Sequence, residues 1–289
     1  MIRAAVLLLT LCLLLPTLPV LAEAADEPAW NDPPEGFDQR REDVTYGTTV
    51  FKTYLSTTTK TFRKVLIILP PDYTPEKEYP VLYLLHGIGG DHSEWSGGKP
   101  DVVIGNLMAD GLAPEMIVVM PNIRARANDA ANPSDTHTPE HYAAFDNFIN
   151  DLRDNLMPFI AKNYSVAEGP ENTAVAGLSM GGREALYIGL TMLDTFGYIG
   201  AFCPAPGVLG YAVEDGLFQT ADFKAADGYA PYILINAGAS DGTVGAWPST
   251  YAQTLMDNGT DVTFYVTEGG HDFTVWKHGL YNFAKRIFD

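Results

Sequence analysis

Between Thr173 and Leu190 the chain reads TAVAGLSMGGREALYIGL, and this stretch limits the possible folds more than any other. Thr173 to Gly177 is small and apolar, as in a parallel strand covered on both faces. Ala185, Leu186, Ile188, Leu190 and Met192 then recur at helical spacing with one core-facing side. Gly177-Leu178-Ser179-Met180-Gly181 joins the two, so strand, sharp turn and helix come in the order a nucleophile elbow requires. The five-residue pattern alone is weak in a chain with 27 glycines, where a glycine-rich turn with an incidental serine is the competing reading.

In an elbow the two glycines remove side chains that would collide as strand and helix converge, and Ser179 projects its hydroxyl clear of the sheet. Met180 opens the helix. Its N–H has no partner within the helix and sits at the positive end of the helix dipole, which makes it the expected first donor to a developing oxyanion.

The rest of the chain alternates in the same style. Val81 to Leu85, VLYLL, runs directly into His86-Gly87-Ile88-Gly89-Gly90, and the Ile88 N–H is the expected second oxyanion donor; an ordinary strand-to-helix turn is the alternative. Met116–Met120, Tyr198–Phe202, Tyr232–Asn236 and Val262–Val266 read as further buried strands. Helical patterns cover Tyr142–Tyr164, a segment near Tyr251–Met256, and Thr274–Ile287. Thr45–Tyr54 and Phe62–Leu69 are rich in β-branched and aromatic residues and read as antiparallel edge strands or a hairpin. The expected fold is α/β: one domain over residues 44–289, with a mostly parallel, doubly wound sheet and antiparallel N-terminal strands.

Ahead of that domain, residues 1–24 combine Arg3, an apolar run broken by Pro16 and Pro19, and Ala22-Glu23-Ala24, the pattern of a cleaved secretory signal peptide. Residues 25–43 are rich in proline and acid and read as an extended lead-in. Export with cleavage implies a secreted or periplasmic protein without stable membrane insertion. Cys12 would leave with the signal, so Cys203 has no partner for a disulfide, and no Cys/His spacing suggests a metal site. A net charge of −18 with only 18 Lys and Arg argues against a nucleic-acid partner and against anionic membrane surfaces.

In open α/β sheets the reacting groups gather at the carboxyl ends of strands, and that rule sorts the candidate acids and bases. His271 follows a strand and Glu268-Gly269-Gly270, after the serine in chain order, and is the expected general base. His137 in the long polar segment Asn122–Glu140, His141 directly after it, and His278 in the last helix read as surface or packing residues. Asp241 lies just past the strand Tyr232–Asn236 and is the expected partner of His271, with Glu268 as runner-up. Asp261 lies at the opposite edge, and Asp272, adjacent to the base, would point away from it. Asp241-Gly242 also fits a simple Asp-Gly turn.

With GLSMGG, LYLLHGIGG, SDGTVG and GGHDFTVWKHGLYNF in view, the chain resembles the feruloyl and acetylxylan esterases of carbohydrate esterase family one, over roughly Val44 to Phe288. The resemblance implies an α/β-hydrolase fold and a secreted serine esterase that uses neither metal nor cofactor. Ser179, Asp241 and His271 would form its triad, and Ile88 and Met180 would supply the oxyanion donors. Substrates would be feruloyl or acetyl esters, small or attached to plant cell-wall polysaccharide, and Trp95 and Trp276 could flank an aromatic acyl group. Residues Ile123–Tyr142 depart from the family's pattern in being longer and more charged. Acyl transfer to a sugar, as in mycolyltransferases of similar fold, and a non-catalytic binding role are the competing functions.

Overall fold

The computed structural model describes residues 32–128, 130, 134, 136–210 and 216–288, and every element below lies in the compact unit Pro33–Asp289. The expected signal peptide, residues 1–24, falls outside the described residues.

Eight strands form one sheet: β1 (Thr48–Ser56), β2 (Thr61–Leu69), β3 (Val81–Leu85), β4 (Ile117–Pro121), β5 (Thr173–Leu178), β6 (Tyr198–Phe202), β7 (Tyr232–Gly238) and β8 (Thr263–Thr267), in the order β1-β2-β4-β3-β5-β6-β7-β8. β1 pairs antiparallel with β2, and β2 antiparallel with β4; all other pairs are parallel. The helices are α1 (Pro100–Ala109), α2 (Pro139–Asp146), α3 (Phe148–Asp151), α4 (Met157–Asn163), α5 (Met180–Thr191), α6 (Trp247–Asp257) and α7 (Phe273–Ala284).

Residue choice explains the layering. β3, β4 and β5 are buried at every position, which their unbroken apolar runs require once helices cover both faces of the sheet. Alternate residues then feed two cores. Val81, Tyr83, Leu85 and Val175 enter one with Phe145, Leu186 and Tyr251, while Leu82, Leu84, Ala174 and Ala176 enter the other with Leu107, Trp276 and Phe283. At the edge, β1 buries only Tyr54 and Ser56.

The amphipathic pattern over Tyr142–Tyr164 does not form one helix, in contrast to the sequence expectation. The chain breaks at Asn147, whose side-chain amide donates to Ala125 O, and Leu152–Leu156 widens into a π turn before α4. Pro158 lacks the N–H that would close an α-helical bond to the carbonyl four residues back, and the wide turn lies just ahead of it. There Asp151 and Asn155 turn inward: Asp151 meets Arg63 and Tyr54, and Asn155 takes the Thr57 N–H at 2.9 Å.

The lead-in is fastened more firmly than its composition suggests. Asn106 on α1 donates to the carbonyls of Phe37 and Gln39, each at 2.9 Å, and Phe37 packs edge-on against Tyr281 of α7. Asp38 pairs with Lys277.

Candidate active site

Ser179 sits between β5 and α5 with φ 53° and ψ −117°, a conformation an L-residue adopts only when its surroundings enforce it, at a cost of about 1–3 kcal/mol. Its N–H donates to Phe202 O at 2.8 Å, and its own carbonyl accepts from Arg183 N and Ala205 N, each at 3.0 Å. The two glycines of the motif are required by distance. A Cβ on Gly177 would lie 2.4 Å from the carbonyl of Gly181, and one on Gly181 would lie 2.3 Å from Leu85 O.

β7 and β8 end beside this turn. Gly238, closing β7, approaches the Gly269 carbonyl so closely that a Cβ would stand 2.7 Å from its oxygen. Ser240 reinforces the contact, donating to Gly269 O through its N–H at 2.9 Å and its hydroxyl at 2.8 Å. This junction carries Asp241 on one side and His271 on the other. His271 Nε2 lies 2.8 Å from Ser179 Oγ, and His271 Nδ1 lies 2.7 Å from Asp241 Oδ2. Asp241 Oδ1 accepts the N–H groups of Thr243 at 2.9 Å and Val244 at 3.2 Å. Burial alone would raise the Asp241 carboxyl; the hydrogen bond and charge of His271, with the two amides, outweigh it and hold the group below the usual carboxylate range.

The loop after β3 brings a second set of backbone groups to the serine. A Cβ on Gly87 would be 3.5 Å from Ser179 Cβ. The Gly87 N–H is already donated to Glu94 Oε2 at 2.6 Å, so that amide is occupied. Among the described residues the N–H of Ile88 meets no acceptor, and neither does that of Met180, which opens α5. Glu94 titrates above the normal range, chiefly because it is desolvated, although the Gly87 amide opposes the shift.

Other candidates separate cleanly. Glu268 is exposed, and Asp272 caps α7 by accepting the Thr274 N–H at 2.7 Å. His278 meets Thr267 Oγ1 at 3.1 Å on the outer helix. Trp95 is a correction: it is 1 % exposed, donates its indole N–H to Leu85 O at 2.8 Å and packs on Phe202 and Phe273, so it is a core residue and not an open pocket wall. Trp276 stands edge-on to the His271 ring, with centroids 5.1 Å apart, and is itself buried behind it.

The free, buried Cys203 lies close to the relay. Cys203 lies with Asp241 and His271 in a group whose ligand atoms fall within 4.8 Å of one another, the arrangement among the described residues that most resembles a metal site. It fits a metal poorly. Burial, and then the Asp241 charge, push the Cys203 thiol far above its normal range, so it is not a thiolate, and the facing atoms of His271 and Asp241 already bond each other.

Sequence also missed the residues that hold the loop after β3. Arg124, from the long polar segment, is fully buried and donates to the carbonyls of Gly90 and Ala130. His141, expected to serve as surface or packing, is equally buried and contacts Ile88 O at 3.1 Å. Both partners are backbone carbonyls, which leave no trace in a sequence pattern.

A mostly parallel sheet of this order, with a strained serine after its central strand and an acid and a histidine after later strands, defines an α/β-hydrolase. The chain belongs to the Esterase family, whose model matches residues 56–287, and it is similar to feruloyl esterases. The ferulic acid esterase of Anaeromyces mucronatus, solved with ferulic acid, superposes with a TM-score of 0.83 at 36% identity, over 89% of this chain and 97% of that one. An endo-1,4-β-xylanase/feruloyl esterase of Xylanibacter ruminicola is 30% identical over 261 residues, 88% of this chain and 33% of the relative. The chain therefore spans about a third of that curated relative's length. An S-formylglutathione hydrolase of Staphylococcus aureus, at 17% identity and a TM-score of 0.60, shares the fold.

Proposed function

We propose that the protein is a secreted serine esterase that cleaves feruloyl or acetyl esters, small or carried on plant cell-wall polysaccharide, by a two-step acyl-enzyme route. The observation that carries this reading is the unbroken relay from Ser179 Oγ through His271 to Asp241, at 2.8 Å and 2.7 Å. The names of the relatives support the substrate class, and the apolar run of residues 1–24 supports export.

In the first step Ser179 Oγ attacks the ester carbonyl as His271 Nε2 takes the hydroxyl proton, and a C–O bond to the serine forms. The carbonyl electrons move to oxygen, where the N–H groups of Met180 and Ile88 receive the charge. Collapse expels the alcohol, which takes the proton back from His271. Water then repeats the sequence on the acyl-enzyme, releasing the acid and restoring Ser179. Asp241 keeps the Nδ1 proton directed toward itself and stabilises the imidazolium that forms in each half. No step calls for a cofactor.

The test is hydrolysis of methyl ferulate, an aryl acetate and acetylated xylan by the purified protein, beside a Ser179→Ala control. Release of ferulate with an inactive control supports the feruloyl reading. Cleavage of acetyl esters alone narrows it to an acetyl esterase. A folded wild type that cleaves none of the three overturns it.

A further inference from the structure

We propose that His141 is a positioning residue for the oxyanion hole: by holding the Ile88 carbonyl, it fixes the direction of the Ile88 N–H toward the substrate. The inference rests on the esterase reading above and concerns how the transition state is held, not which ester is cut.

The loop His86-Gly87-Ile88-Gly89-Gly90 is rich in glycine, and its shape is held group by group, by contacts within it and by side chains from elsewhere. Glu94 takes the Gly87 N–H at 2.6 Å. The Gly87 carbonyl accepts from His86 Nδ1 at 2.7 Å and from Gly90 N at 3.2 Å. Arg124 takes the Gly90 carbonyl. The Ile88 carbonyl faces His141 Nε2 at 3.1 Å, and since a carbonyl only accepts, Nε2 carries a proton and donates it.

Peptide planarity turns these contacts into an aimed donor. Gly87 C=O and Ile88 N–H belong to one trans peptide and point in opposite directions. With the carbonyl drawn toward His86, the N–H must face the other way. That plane can still shift or tilt as a whole while the glycines on either side of it move. His141 limits such movement by anchoring the next peptide through Ile88 O.

The histidine is itself held in place. It lies in the first turn of α2, where the Thr138 hydroxyl caps the helix by accepting the His141 N–H at 3.2 Å. Phe145, one turn later and fully buried, packs against both imidazoles, 5.2 Å from the His141 ring and 5.8 Å from that of His86. The two histidines that direct adjacent peptides thus share one aromatic support. Burial and the Arg124 charge lower His86 to about 3, so its ring stays neutral, with the Nδ1 proton on Gly87 O and Nε2 accepting the Ile123 N–H at 2.8 Å.

The test compares wild type, His141→Leu and His141→Gln, with rates expressed per active site titrated with a fluorophosphonate. Glutamine places an amide N–H near the position of Nε2; leucine fills the space without a donor. Removing an oxyanion donor outright costs about 10²–10³ in kcat, and a misdirected donor should cost less. His141→Leu is expected to lower kcat about 10- to 100-fold with KM within about twofold. It should weaken an aryl boronic acid, which forms a tetrahedral adduct on the serine, by a similar factor, while binding of free ferulate stays as in wild type. His141→Gln should recover most of both losses.

Wild-type kcat and boronate affinity in His141→Leu would overturn the proposal. So would equal losses in the Gln and Leu variants accompanied by weaker ferulate binding, the result of a packing defect. Should His141→Leu fail to fold, His141→Asn, whose amide is too short to reach Ile88 O, takes its place with the same expected loss. A wild type that hydrolyses no ester, or a Ser179→Ala variant that still does, overturns instead the reading on which the inference stands.

Discussion

Asp241 divides its two carboxylate oxygens between different tasks: Oδ2 meets His271 Nδ1 at 2.7 Å, and Oδ1 accepts the backbone N–H groups of Thr243 and Val244. The residue that orients the imidazole is thereby fixed to the turn after β7. Asp241→Asn should keep the turn, because an amide oxygen still accepts both N–H groups, but its NH₂ cannot accept from Nδ1. The proton then moves to Nε2, where it blocks the serine. We expect kcat to fall about 10³- to 10⁴-fold with Tm nearly unchanged, checked by steady-state kinetics and thermal unfolding.

Gly181→Ala should prevent the elbow from closing. The added methyl would stand 2.3 Å from Leu85 O and 2.6 Å from His86 O, both backbone atoms at the root of the loop after β3. Overpacking of this kind costs about 3 kcal/mol, and relief can come only by moving the helix that carries Met180 away from β3. Urea denaturation should show the loss of stability, and activity per folded molecule should fall with it.

Arg63 and Asp151 form an ion pair at 2.9 Å in which both side chains are 0% exposed. Tyr54 donates to the same carboxylate oxygen at 2.6 Å, and the guanidinium also takes the carbonyls of Asn122 and Arg124. Arg63→Met leaves a buried carboxylate without its cation and releases the segment that leads to Arg124. Breaking a buried pair from one side costs about 3–5 kcal/mol, which equilibrium unfolding would register.

Glu184 carries a pH signature with a definite sign. Burial raises its carboxyl from 4.5 to about 7, although the Arg183 guanidinium opposes the shift. Between those values the folded protein holds a proton that the unfolded chain has lost, so this group makes stability fall as pH rises from 4.5 to about 7. The slope cannot exceed about 1.4 kcal/mol per pH unit for one proton. Glu184→Gln removes the dependence, and the Tm of the variant relative to wild type should climb across that window. A constant difference would show that Glu184 does not titrate there.

Much of this architecture can be read from the residues themselves, for physical reasons. β3, β4 and β5 are legible because strands buried on both faces must be continuously apolar, and Ser179, Asp241 and His271 because each follows the carboxyl end of a strand in chain order. Periodicity misleads over Tyr142–Tyr164, where spacing is helical throughout but Pro158 and two inward polar residues, Asp151 and Asn155, reshape the backbone. Trp95 shows a different limit: an aromatic residue beside a glycine loop looks the same in sequence whether it faces a ligand or Leu85 O. The clamp on the loop after β3 is illegible because His141 meets a main-chain oxygen 53 positions away, and every residue type offers that atom.

The central claim, that Ser179 Oγ is the nucleophile that becomes acylated, is tested most directly by reacting the protein with an aryl fluorophosphonate and locating the adduct by peptide mass spectrometry. One equivalent on the peptide bearing Gly177-Leu178-Ser179-Met180-Gly181, with loss of esterase activity in proportion, is the predicted result. An adduct on another residue, or full activity retained after Ser179 is modified, would contradict it.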